Sequence, residues 1–113
     1  MTGYIHVHTT TASKEDAERI AQALVERRLA ACVQVLGPIT SVYRWQDKLE
    51  TSSEWLCLAK SRQSLYAALE AAILELHSYE VPEIVAVPIV SGSASYLHWL
   101  AVETAAADGT TGE

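Results

Sequence analysis

The sequence predicts an α+β fold, the ferredoxin-like βαββαβ arrangement: an antiparallel sheet with two helices on one face, a long hairpin between the second and third strands, and a short C-terminal helix. Three observations predict it. Hydrophobic patterns of strand and helix type follow one another as strand, helix, strand, strand, helix, strand. One short turn, Gln46-Asp47-Lys48, joins the middle strands into a hairpin. Right-handed crossovers then place the first and third strands in the centre and the two Pro-containing strands at the edges.

Tyr4 to Thr9 reads as the first strand, with Ile5 and Val7 on one face and Tyr4, His6 and His8 on the other. Thr9 to Ser13 is the turn. Ser13 is the expected N-cap, and Glu15 and Asp16 follow where the helix dipole favours anions. Ala17, Ile20, Ala21, Leu24, Val25 and Leu29 then recur at helical spacing. Ala31 to Trp45 is β-type and bends at Gly37-Pro38, which marks an edge strand. The returning strand spans Glu54 to Ser61. Ser64 is the expected cap of a second helix built on Leu65, Leu69, Ala72, Ile73 and Leu76, and Pro82 keeps the chain from continuing it. Glu83 to Val90 is the fourth strand, an edge because of Pro88, closed by Gly92. A last helix starts near Ser95, anchored by Tyr96, Leu97, Trp99 and Leu100. Residues 1–103 thus form a single domain, and 104–113, small and polar, form a disordered tail.

Composition narrows the function. A chain of 113 residues, half of them apolar, makes one globular domain. Its net charge of −6 and scattered basic residues exclude a nucleic-acid groove, which needs clustered Lys and Arg. No run approaches the ~20 apolar residues of a membrane span, so no membrane partner is expected. The first residues lack the basic and apolar runs of a signal peptide, so a cytoplasmic location is expected. In that reducing compartment Cys32 and Cys57, set in apolar runs, read as free, buried thiols. The chain contains no Asn, the residue an acylphosphatase on this topology needs, and no nucleophile accompanies a His77/Glu80 pair. It does not read as an enzyme.

The hairpin leaves a surface to satisfy. Helices of ~17 and ~13 residues span roughly 25 and 20 Å, whereas hairpin arms of a dozen or more residues reach ~45 Å. The outer part therefore projects, carrying Val42, Tyr43, Trp45, Leu49 and Trp55. Self-association covers them, with Tyr43, Trp45 and Trp55 in the interface; the alternative is that the terminal helix folds back over the tip. His77, Tyr79, Glu80 and Glu83 form the densest polar cluster. It reads either as a site for a metal or small polar ligand or as a capped helix end with solvated carboxylates. His6 and His8, on one strand face, are more simply a hydrogen-bonded pair than a metal site.

Several segments resemble the CutA divalent-cation tolerance family. Leu24-Val25-Glu26-Arg27-Arg28-Leu29-Ala30-Ala31-Cys32-Val33 looks like its signature after the first helix. Thr40-Ser41-Val42-Tyr43-Arg44-Trp45 resembles its S-x-Y-x-W strand, and Glu54 through Lys60 its next strand. His77-Ser78-Tyr79-Glu80-Val81-Pro82-Glu83-Ile84 resembles its H-P-Y-E-x-P-E-I motif, and Tyr96-Leu97-His98-Trp99-Leu100 its terminal Y-L-x-W segment. The resemblance covers residues from about 4 to 101. It implies a homotrimer similar in architecture to PII signalling proteins and a role in tolerance of divalent cations, with Cu2+ or another divalent metal as ligand. Carried over by position, Cys32 and His77 are the metal ligands, and Glu54, Lys60, Tyr79 and Glu83 line a polar cleft between subunits. A PII-like binder of small molecules in those clefts is the second reading. Two departures stand out: Ser78 replaces a Pro, which loosens the turn at His77, and Asp47 takes a Gly position.

Overall fold

A computed structural model describes residues 2–104. The elements are β1 (Tyr4–Thr11), α1 (Lys14–Glu26), β2 (Cys32–Trp45), β3 (Lys48–Arg62), a 3-10 turn (Gln63–Leu65), α2 (Tyr66–Leu76), β4 (Val85–Pro88) and α3 (Ala94–Thr104). The strands pair antiparallel in the order β2-β3-β1-β4. The α+β, ferredoxin-like order is therefore present, with the Pro-bearing strands at the edges.

Strand alternation decides what is buried. Ile5, Val7 and Ala59 turn toward α1 and α2 and pack with Ile20, Leu24, Leu69 and Ile73, all buried. Each such side chain contributes roughly 1.5–3 kcal/mol by leaving water, so this cluster clamps both helices to one face. On the opposite face His6, Lys60 and Cys32 stand side by side as cross-strand neighbours.

Ser13 caps α1 as expected, its Oγ accepting the Asp16 N–H at 3.1 Å. The helix stops before Leu29, however. Arg28 adopts φ 58°, and the N–H groups of Arg28 and Leu29 donate back to the Val25 and Leu24 carbonyls at 3.0 and 2.9 Å. That closure satisfies the last carbonyls and tucks Leu29 into the core. Ser64 does not cap α2. β3 runs on to Arg62, which leaves Ser64 inside the 3-10 turn, and no side chain caps α2. β4 is shorter than Glu83 to Val90: it spans Val85–Pro88, with Pro88 opposite Ile5, and one further backbone bond, from the Ile89 N–H to the Tyr4 carbonyl at 2.9 Å, follows it.

The hairpin is longer than either arm's apolar pattern. β1 and β3 extend each other, Thr10 and Thr11 pairing with Leu56 and Trp55. Gln46 and Asp47, at φ 51° and 65°, form the two-residue turn whose twist suits paired strands. A bulge between Leu36 and Ile39 shifts the β2–β3 register. At that bulge the Trp55 ring lies on Gly37 so closely that a Cβ there would sit 2.4 Å from it.

The molecule measures 49 × 26 × 22 Å, and the outer hairpin leaves Leu49 72% and Val42 62% exposed. α3 does not fold over this tip. Arg62, at the opposite end of β3, donates to Thr104 Oγ1 at 2.9 Å and to the Thr104 carbonyl at 3.1 Å. Thr104, expected to begin the tail, is fully buried; residues 105–113 lie outside the described residues. Among the described residues no helix is long and apolar enough to cross a membrane.

Candidate functional site

The site forms where the α2–β4 connection folds back over β1. His77 caps α2 in extended conformation, which turns its ring toward the strand. Its Nδ1 accepts the Tyr79 backbone N–H at 3.0 Å, so the ring proton sits on Nε2, which donates to the Thr10 carbonyl at 2.7 Å. Both nitrogens of a neutral imidazole are thereby engaged. Ser78 Oγ donates to Asp16 Oδ2 at 3.4 Å, so this turn is tied at three points.

The tie aims Tyr79. Its hydroxyl donates to Glu54 Oε2 at 2.6 Å. Burial, and then this bond to the carboxylate, hold the phenol well above its ordinary pKa. Glu54 is only 7% exposed and has no ion-pair partner among the described residues. Beside it opens a cavity of ≈ 630 Å³, with Glu54, Tyr79, Glu80 and Glu83 on one side and Tyr43 and Trp45 of the hairpin on the other. No Lys or Arg lines it.

Register explains the aromatic wall. Before the bulge, even-numbered residues of β2 share a face with even-numbered residues of β3, as Cys32 does with Lys60. After it the parity switches: Ile39 pairs with Glu54 and Tyr43 with Glu50. The bulge therefore rotates Tyr43 and Trp45 onto the face of Glu54.

Of the expected cleft residues, Glu54, Tyr79 and Glu83 meet at the cavity, and Lys60 does not. Lys60 lies six positions from Glu54 along β3, ~20 Å at ~3.3 Å per residue, and donates to Gln34 Oε1 at 2.7 Å. Cys32 stands opposite Lys60 and is half-buried. His77, bonded at Thr10, is ~13 Å further along the sheet and two strands away, so one chain does not bring Cys32 and His77 together. No group of three His, Cys, Asp or Glu residues able to hold a metal occurs among the described residues.

The remaining candidates separate by environment. Cys57 is buried and its thiol is pushed up to about 11 by burial, whereas Cys32 is not fully buried as expected; both are free. His6 lies with its ring 6.3 Å from that of His8, its pKa lowered by burial first, then by Lys60 and His8. Trp55 packs within its own chain, over Gly37 and under the Lys14 ammonium 5.8 Å away, while Tyr43 and Trp45 stay 42% and 41% exposed. Thr10 was not singled out by sequence; it acts through its carbonyl, which no side-chain pattern announces.

The model of the CutA1 divalent ion tolerance protein family matches residues 5–103. The divalent-cation tolerance protein CutA of Thermus thermophilus is 46% identical over 95 residues, covering 84% of this chain and 92% of that one. The chloroplastic protein CutA of Arabidopsis thaliana is 42% identical over 96 residues, covering 85% of this chain. The chain spans about half the length of some curated relatives it matches, 53% of the Arabidopsis protein and 51% of mouse protein CutA. Among solved structures, CutA of Xylella fastidiosa superposes with a TM-score of 0.88 at 36% identity, covering 90% of this chain and 98% of that one.

Proposed function

The chain belongs to the CutA1 divalent ion tolerance protein family, and from that premise we propose that it is a cytoplasmic homotrimer that binds divalent metal ions, copper foremost, without catalysing a reaction. The observation that carries the reading is the family match, which runs through every strand and helix of the fold. The uncovered hairpin tip supports assembly. The Thermus thermophilus relative is named for tolerance of divalent cations, and the chain offers a soft sulfur donor in Cys32 and an imidazole in His77.

The donor set of one chain does not fit a resident metal centre: Cys32 and His77 lie apart, and both His77 nitrogens are engaged. The metal is therefore a ligand rather than a cofactor in this reading, taken up by donors from more than one copy. Calorimetric titration with Cu2+ tests it. His77 can ligate only by releasing the Tyr79 N–H from Nδ1; Cys32→Ser and His77→Ala are each expected to weaken binding by at least the ~10-fold that loss of a ligand's supporting partner costs. Affinities equal to that of the unaltered protein reject both residues as donors. The cavity supports a second reading, a small-molecule binder with sites at Glu54, Tyr79 and Glu83.

A further inference from the structure

We propose that His6 and His8 on β1 form a metal site of their own, a two-imidazole chelate for a divalent transition ion of the Cu2+, Ni2+ and Zn2+ class. The inference rests on the metal-binding reading for the class of ligand, but it uses neither Cys32 nor His77 as a donor.

Strand geometry is the first reason. Residues two apart on a strand share a face, ~6.6 Å apart at ~3.3 Å per residue. His6 and His8 do so on the face without helices, both half-buried, with ring centroids 6.3 Å apart and planes tilted by 34°. The second reason is that their nitrogens are free. The hydrogen-bonded pair expected from sequence does not form: neither ring has a hydrogen-bond partner among the described residues. Rotation about the side-chain torsions can therefore bring one nitrogen of each ring within the ~2.0–2.1 Å of an imidazole–metal bond. The third is protonation. Burial, then Lys60 and His8, lower the His6 pKa, so its ring is neutral and keeps a lone pair for metal at neutral pH.

The surroundings choose the ion. His8 lies opposite Leu58 and Val85, and His6 opposite Lys60 and Val87, so no carboxylate faces the pair across the sheet. Nitrogen donors without oxygen ligands suit Cu2+, Ni2+ or Zn2+ rather than Mg2+ or Ca2+. Lys60 is the opposing charge, and its amine is turned toward β2, donating to Gln34 Oε1 at 2.7 Å. The pair is also clear of the outer hairpin. Tyr43 stands opposite Glu50, eight positions along β3 from Leu58, ~26 Å at ~3.3 Å per residue. An ion held on one strand needs no open cavity. A copy that covers the sheet leaves both donors in place, and the remaining coordination positions go to water or to that copy.

The test titrates Cu2+ into the full chain carrying Cys32→Ser and His77→Ala, which removes the other proposed donors. One ion per chain, or one shared between copies, is expected, with at least two nitrogen ligands in its electron paramagnetic resonance spectrum. Adding His6→Gln or His8→Gln is expected to weaken binding by at least the ~10-fold that loss of a ligand's supporting partner costs, with the β-sheet circular dichroism retained. Equal affinity with and without the two imidazoles overturns the proposal, as does a spectrum with fewer than two nitrogens. Loss of all Cu2+ binding in the Cys32→Ser/His77→Ala chain also overturns it and leaves the Cys32 and His77 reading standing. Undiminished binding in that chain, lost on adding His6→Gln, upholds the pair and removes Cys32 and His77 as donors. The unaltered protein gives a check that needs no substitution. Cu2+ is expected to broaden the His6 and His8 ring signals in its nuclear magnetic resonance spectrum, and rings that keep their line widths overturn the site.

Discussion

Cys32 and Cys57 are the same chemical group on neighbouring strands, yet the sheet gives them opposite environments. Cys57 faces α1, where its Sγ donates to the Ala17 carbonyl at 3.7 Å and burial pushes its thiol up to about 11. Cys32 faces the other side, half-buried beside Tyr96. A thiol reagent at pH 8 is expected to label one cysteine in the native protein and the second only in denaturant, and Cys32→Ser is expected to abolish the native signal. Rapid labelling of both thiols would contradict this placement. The apolar runs around both residues made them look alike in sequence; pairing register separates them, and register is not a property of either run. Arg28 shows the same limit. A left-handed residue was not readable there because Gly or Asn usually marks one, and Arg stands instead. Arg28→Gly is expected to be more stable than Arg28→Ala by ~1 kcal/mol in urea unfolding, because both lose the contact to Glu103 and only Ala keeps the left-handed cost.

At the scale of elements, the bulge in β2 does most to create the site. Its position was readable from Gly37-Pro38, a pair that cannot continue a regular ladder. Its effect was not readable, because alternation counted along β2 alone puts Tyr43 and Trp45 on the wrong face. Only the pairing of Ile39 with Glu54 reveals the switch. Gly37 also accommodates the Trp55 ring, so Gly37→Ala must displace an indole rather than a flexible chain end. A loss of ~1–3 kcal/mol is expected, read as a lower urea midpoint. An unchanged midpoint would show that the ring is free to move aside. β3 is longer than its own pattern indicates for a related reason: Lys48 to Ser53 is mostly polar and becomes strand because β2 lies opposite it.

The whole molecule was the most legible level. Element order, one hairpin and crossover handedness leave few topologies, and strand order followed from where the prolines sit. The cavity was less legible, because it depends on a connecting segment folding back to the Thr10 carbonyl. The proposed assembly rests on unsatisfied apolar surface together with the family resemblance. Tyr43→Lys combined with Leu49→Lys is expected to shift the solution mass from about three times 12.3 kDa toward 12.3 kDa, with the β-sheet circular dichroism retained. A single-chain mass for the unaltered protein would remove the trimer.

The Arg62–Thr104 clasp has a practical use. The tip of the hairpin and the last turn of α3 lie at opposite ends of β3, so a fluorophore or purification handle joined downstream of Thr104 begins remote from both the aromatic tip and the acidic cavity. Sensors and immobilised forms of the protein are best attached there, where the linker pulls on a helix already fastened to the sheet.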